Sequence, residues 1–163
     1  MINPKTVTSI EGDHVMMMTR EFNAPQEVVF RAWTEREHLM NWWGPPTWPL
    51  DYCTVDLRPG GTWHYRMRGP EGEESWGKAV YTAIEPYSRL SYTDYFSDKE
   101  GAELSPGMFT EMTFEAKGAT TVVHGRTTFT SAEDLKHVLE MGMIEGMSMS
   151  LDRLDDVLAN AVA

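Results

Sequence analysis

The stretch SAEDLKHVLEMGMIEGMSMSLDRLDDVLA, residues 131–159, decides the fold. Ser131 can cap a helix, Glu133 and Asp134 occupy a first turn where the helix dipole favours acids, and Ile144, Met147, Leu151, Leu154 and Leu158 recur three and four apart. The spacing predicts one long amphipathic helix of about 28 residues, roughly 40 Å at 1.5 Å per residue. A rod with one apolar stripe needs an apolar surface to lie on, so the preceding chain must supply one.

That surface is a sheet. DYCTVDL (51–57), GTWHYRM (61–67), SWGKAVYTAI (75–84), RLSYTDYF (89–96), MFTEMTFEA (108–116) and TTVVHGRTTF (120–129) are rich in β-branched and aromatic residues. They are parted by turn chemistry at Pro59-Gly60-Gly61, Gly69-Pro70, Glu85-Pro86 and Lys117-Gly118. Short connections imply an antiparallel meander. Upstream, HVMMMTREF (14–22) reads as a further strand with Met16, Met18 and Phe22 on one face. NAPQEVVFRAW then turns helical with Pro25 at a first helical position. Thr34 and Glu37 match a capping box for a second short helix, which Gly44-Pro45-Pro46 ends. The predicted fold is α+β: about seven strands in one curved antiparallel sheet, two short helices, and a long C-terminal helix. Residues 1–13 read as a polar lead-in, able to pair with a neighbouring subunit, and 14–163 as a single domain.

Composition narrows the function classes. The 163 residues carry 14 basic and 25 acidic side chains, a formal charge of −11, which repels nucleic-acid phosphates and anionic lipid surfaces. The single cysteine, Cys53, excludes an intrachain disulfide and reads as a small core residue. No secretory h-region opens the chain and no apolar run approaches about 18 residues, so the cytoplasm is the expected compartment. A monomer or a homodimer fits equally well.

Catalytic signals are sparse. His14, His38, His64, His124 and His137 lie on separate elements without metal-ligand spacing, so no metal or other cofactor is expected. There is no nucleophile elbow, Walker loop or dinucleotide fingerprint. Asp94 and His124, each within a strand, are the weak candidates for general acid–base work. Enzymatic activity is therefore not the leading expectation.

Binding signals are richer. HLMNWWGPPTW (38–48) packs three tryptophans around a turn; Trp42 and Trp43 diverge by about 100° if helical, so one can fill core while the other covers an opening. Strand alternation places Trp63, Tyr65 and Met67 on one face, with His64, Arg66 and Arg68 opposite, where arginines can meet carboxylates such as Glu111 and Glu115 of a neighbouring strand. The same alternation aligns Met112 with Phe114. On the helix, Gly142 and Gly146 are four apart among Met143 and Met147, from tight packing or from room left for a ligand. Trp42, Trp43, Trp63, Tyr65, Met112, Phe114, Met143 and Met147 are the expected lining of a cavity for a small hydrophobic or aromatic molecule.

Three motifs in order, REFNAPQEVVFRAWTEREHLMNWWGPP, DLRPGGTWHYRMRGPEG and GMSMSLDRLDDVL, resemble the bacterial relatives of the activator of heat-shock protein 90 ATPase, of its C-terminal-domain type. The resemblance spans about Thr19 to Leu158 and places the chain in the START-like superfamily, alongside polyketide cyclases, lipid-transfer domains and birch-pollen allergens. It implies the helix-grip fold and a cavity between sheet and long helix. A stress-response partner, the chaperone, is a second implied role, and a cyclase- or hydratase-type activity a third. The chain shows no second segment resembling the N-terminal half of the eukaryotic activators, so chaperone stimulation ranks below ligand binding. Many relatives carry an aromatic where this chain has Met147, which implies a differently shaped pocket.

Overall fold

Strand alternation carries through to the architecture. The structure, a computed structural model, describes residues 6–161. In chain order it runs β1 (Val7–Glu11), β2 (Val15–Phe22), α1 (Gln26–Thr34), α2 (Arg36–Trp42), β3 (Leu50–Val55), β4 (Thr62–Arg68), β5 (Glu74–Glu85), β6 (Arg89–Ser97), β7 (Met108–Lys117), β8 (Thr120–Thr128), α3 (Ala132–Glu140) and α4 (Met143–Ala161). All eight strands form one antiparallel sheet in the order β1-β2-β8-β7-β6-β5-β4-β3. The curved sheet grips a C-terminal helix, and the fold is the helix-grip type.

The extra strand is β1, inside the segment expected to be a lead-in. It pairs with β2, Val7 opposite Thr19 through Glu11 opposite Val15, and forms one edge of the sheet. The turn between them holds Gly12 at φ +62°, a conformation that glycine adopts without a Cβ clash.

The C-terminal rod is two helices rather than one. Gly142 lies at φ +83°, which no continuing helix tolerates, and the chain restarts at Met143. Ser131 caps α3 as expected, accepting the Asp134 N–H at 3.1 Å. Leu135 and Val138 of α3 cover a small cluster with Met16, Met108 and Phe129. α4, about 28 Å long at 1.5 Å per residue, lays Leu151, Leu154 and Leu158 into the main core with Phe22, Val29, Phe30, Trp33 and Leu39. The predicted capping box does not form: the Thr34 hydroxyl donates back to the Phe30 carbonyl, and Glu35 takes the N-cap position of α2.

One buried charge ties sheet to helix. Arg20, on the concave face of β2 and 1% exposed, donates to Thr6, to Asp152 at 2.9 Å and to Asp155 of α4. On the convex face, Arg66 and Arg68 do meet carboxylates, but those of Asp51 and Glu74. Glu111 and Glu115 are out of reach because β7 neighbours β6 and β8, not β4.

Candidate functional site

Sheet and α4 close on each other at one end only. Toward Leu154 and Leu158 the space is filled; toward the N-terminal end of α4 a pocket of about 260 Å³ opens. Its floor comes from alternate residues of five strands: Met16 and Met18 of β2, Tyr65 and Met67 of β4, Tyr92 and Asp94 of β6, Thr110 and Met112 of β7, and Gly125 and Thr127 of β8. Met143, Gly146, Met147, Ser150 and Leu151 form the helical wall, and Trp33, Trp42, Trp43, Gly44 and Pro45 the remaining side.

The tryptophan pair divides its labour. Trp42 is fully buried, its indole N–H donating to the Ala32 carbonyl at 2.9 Å and its ring 4.8 Å from that of Trp33. Trp43 is half-buried and edges against Trp63 at 4.6 Å between ring centres. The turn that follows is fastened to α4, because Arg153 donates to the Gly44 carbonyl at 2.8 Å and to the Asn41 carbonyl at 3.0 Å. Gly44 itself lies at φ +89°, and a Cβ there would stand 2.4 Å from the Trp48 carbonyl oxygen.

Glycines also shape the interior. Gly77 of β5 lies opposite Tyr65, and a Cβ on it would come within 2.4 Å of the Tyr65 hydroxyl, so the phenol lies flat across a bare stretch of backbone. Gly146 has nothing within 4 Å of where a Cβ would stand. Neither helical glycine serves tight packing against the sheet: Gly142 breaks the helix, and Gly146 leaves space that belongs to the pocket.

Polar groups in this lining are few. The Thr110 and Thr127 hydroxyls bond each other at 3.1 Å, and the Ser150 hydroxyl donates to the Gly146 carbonyl. Asp94 is the carboxylate of the lining. Burial pushes it up from 3.8 to about 7, opposed by a hydrogen bond from the Tyr95 backbone N–H. The Tyr65 phenol is pushed well up by burial and by Asp94 and Tyr92 beside it, against the Trp43 indole N–H. Tyr92 moves in the same direction for the same reasons, burial first and Asp94 next.

Of the expected cavity residues, Trp42, Trp43, Tyr65, Met112, Met143 and Met147 line this pocket. Trp63 and Phe114 do not. Both face inward as strand alternation requires, but Trp63, 1% exposed, packs under Trp43 and Tyr65, and Phe114 lies against Phe30 and Trp33 in the filled half. Asp94 faces the pocket, whereas His124 is on the exposed convex face beside Thr19 and Glu115, with no route to it. Cys53 is buried, its thiol pushed up to about 11, which keeps it unreactive. Met16, Met18, Met67 and Tyr92 also line it and follow from the same alternation; Gly146 was signalled by its four-residue spacing from Gly142, whereas Gly125 carried no signal. Among the described residues no three His, Cys, Asp or Glu side chains converge on a point that could hold a metal ion, and no helix is long and apolar enough to cross a membrane.

Comparison with known proteins gives one consistent picture. Residues 23–159 match the family model described as Activator of Hsp90 ATPase homolog 1-like protein. A crystal structure of a Mycobacterium smegmatis protein is 33% identical, with 90% of this chain and 91% of that one covered at a TM-score of 0.82. A solution structure of an Arthrobacter aurescens protein is 30% identical over 94% and 91%, with a TM-score of 0.88. A Nitrosomonas europaea protein is 27% identical over 93% and 98%, with a TM-score of 0.82. No curated protein matches the chain.

Proposed function

The chain belongs to the Activator of Hsp90 ATPase homolog 1-like family, and from that premise we propose that it binds a small hydrophobic or aromatic molecule in the pocket between its sheet and α4. The observation that carries this reading is the lining itself. Met16, Met18, Met67, Met112, Met143 and Met147, six of the chain's twelve methionines, meet there with Trp43, Tyr65 and Tyr92.

Unbranched thioethers adjust to irregular shapes at low rotameric cost, and aromatic faces supply flat, polarisable walls. A general hydrophobic core has no need to gather methionine around a space it leaves unfilled. At about 260 Å³ the pocket falls just under the usual span of small-molecule sites, roughly 300–1,000 Å³, so it suits a compact ligand rather than a long acyl chain.

The test is thermal shift and native mass spectrometry of the purified protein against compact aromatic and alicyclic compounds. A saturable rise in melting temperature with a matching one-to-one mass adduct is expected for some of them. Absence of any adduct or stabilisation across a panel that includes one- and two-ring compounds would overturn the reading.

A further inference from the structure

The polar part of the pocket is one-sided. Among the described residues that line it there is one carboxylate, Asp94, and no lysine, arginine or histidine. Arg153 of α4, which holds the rim turn, spends its guanidinium on the Gly44 and Asn41 carbonyls, and Arg20 spends its own on Asp152 and Asp155. A carboxylate inside an apolar hollow is costly unless something positive or hydrogen-bond-donating meets it, and the Tyr95 N–H supplies one such bond. An anionic occupant would stand against Asp94 with no cation to offset it. The chain's −11 charge would also repel it on approach.

Resting on the ligand-binding role proposed above, we infer that the occupant is a protonated amine carried on an apolar or aromatic body, its ammonium group held by Asp94 beside Tyr65 and Tyr92. The ammonium meets the Asp94 carboxylate, with the phenols of Tyr65 and Tyr92 next to it and aromatic faces around it that favour a cation. Its body occupies the methionine-lined space in front of Gly146. The Thr110 hydroxyl, already engaged with Thr127, keeps acceptor capacity for a second N–H. No bond is made or broken in this step; it is recognition by charge and shape.

The experiment compares three isosteres on two bodies: 2-phenylethylamine, 2-phenylethanol and phenylacetate, then 1-naphthylmethylamine, 1-naphthylmethanol and 1-naphthoate. Dissociation constants are measured at pH 8 by calorimetry or chemical-shift titration. The amine is expected to bind at least tenfold tighter than the alcohol of the same body, and the acid weakest. Asp94→Asn is expected to reduce that preference to under threefold, its folding checked by a near-ultraviolet circular dichroism spectrum that matches the parent's. Glu100→Gln removes the same charge from an exposed loop and leaves the preference intact, separating the site from the general field. Alcohols that bind as well as the amines, or acids that bind best, would overturn the amine assignment while sustaining the apolar-ligand reading. If no compound of either body binds, both fall.

Discussion

Arg153 of α4 donates to the main-chain carbonyl of Gly44, across the turn that bears Trp43. This bond joins the helix that walls the pocket to the loop that rims it. Burial draws the Arg153 guanidinium below its ordinary value, so its two carbonyl acceptors are what satisfy it in that setting. Arg153→Ala is expected to cost about 1.5–3 kcal/mol, the range for hydrogen bonds to a charged group. It should also speed amide exchange at residues 43–48 more than in β6–β8. A uniform increase across the sheet would mean that the arginine merely stabilises the whole fold.

Gly44→Ala is the steric counterpart. The φ of +89° is strained for any L side chain, and the added Cβ would meet the Trp48 carbonyl oxygen, which is backbone and cannot step aside. The expected loss exceeds about 2 kcal/mol, read by denaturant unfolding. A variant as stable as the parent would show that the turn has another conformation.

Gly146→Leu should behave in the opposite way. It replaces a glycine inside α4 by a good helix former, worth up to about 1 kcal/mol. A Cβ there meets nothing within 4 Å, and the rest of the side chain is directed into the pocket that Gly146 lines. A melting temperature equal to or above the parent's is expected together with loss of ligand-induced stabilisation. Retained binding in a stable variant would place the ligand somewhere other than this pocket.

How far these positions can be read in sequence depends on the period of the element that holds them. Strand alternation is rigid, so Tyr65, Met67 and Met112 share the inner face as soon as their strands are recognised; Asp94 lay beyond a parity argument, because β6 carries aromatics on both parities, Tyr92 and Phe96 on one and Tyr95 on the other. What alternation does not encode is depth. Trp63 and Phe114 face the same way as Tyr65 and Met112 but lie where α1 and α2 fill the space, and that follows from long-range packing. Helical spacing gave less warning at Gly142, since the apolar stripe from Ile144 onward belongs wholly to α4 and a glycine before it can continue a helix or end one. β1 escaped because it is an exposed edge strand with no apolar alternation; Gly12-Asp13, a hairpin signal between Glu11 and His14, was the cue available.

Arg20 makes the sheet–helix joint a charged one. It is 1% exposed, while Asp152 and Asp155 lie nearer the surface. Removing the acids strands a buried guanidinium, whereas removing the arginine leaves carboxylates that water can reach. The double variant Asp152→Asn, Asp155→Asn is therefore expected to lose about 3 kcal/mol or more, and Arg20→Met less than that. The reverse order in urea unfolding would show that the arginine's packing, not its charge, holds α4 to β2.

Asp94 sets a pH dependence whose sign can be worked out. Its ordinary value is 3.8 and burial raises it to about 7 in the folded chain, so the fold favours the neutral acid. The group's contribution to stability is full below about pH 4, declines as pH rises, and is gone above about pH 7, where the folded state must hold the charged carboxylate in an apolar wall. Asp94→Asn removes this dependence. Parent and variant should differ least near pH 4, and by pH 8 the variant should have gained roughly 2–4 kcal/mol relative to the parent. The difference between their unfolding free energies across pH 4 to 8 isolates Asp94 from the other carboxylates, which titrate in both. An amine ligand works against the same term by supplying the charge partner, so amine-induced stabilisation should strengthen from pH 6 to pH 8 in the parent and stay flat in the variant; a flat parent profile would mean that the carboxylate already finds its partner within the protein.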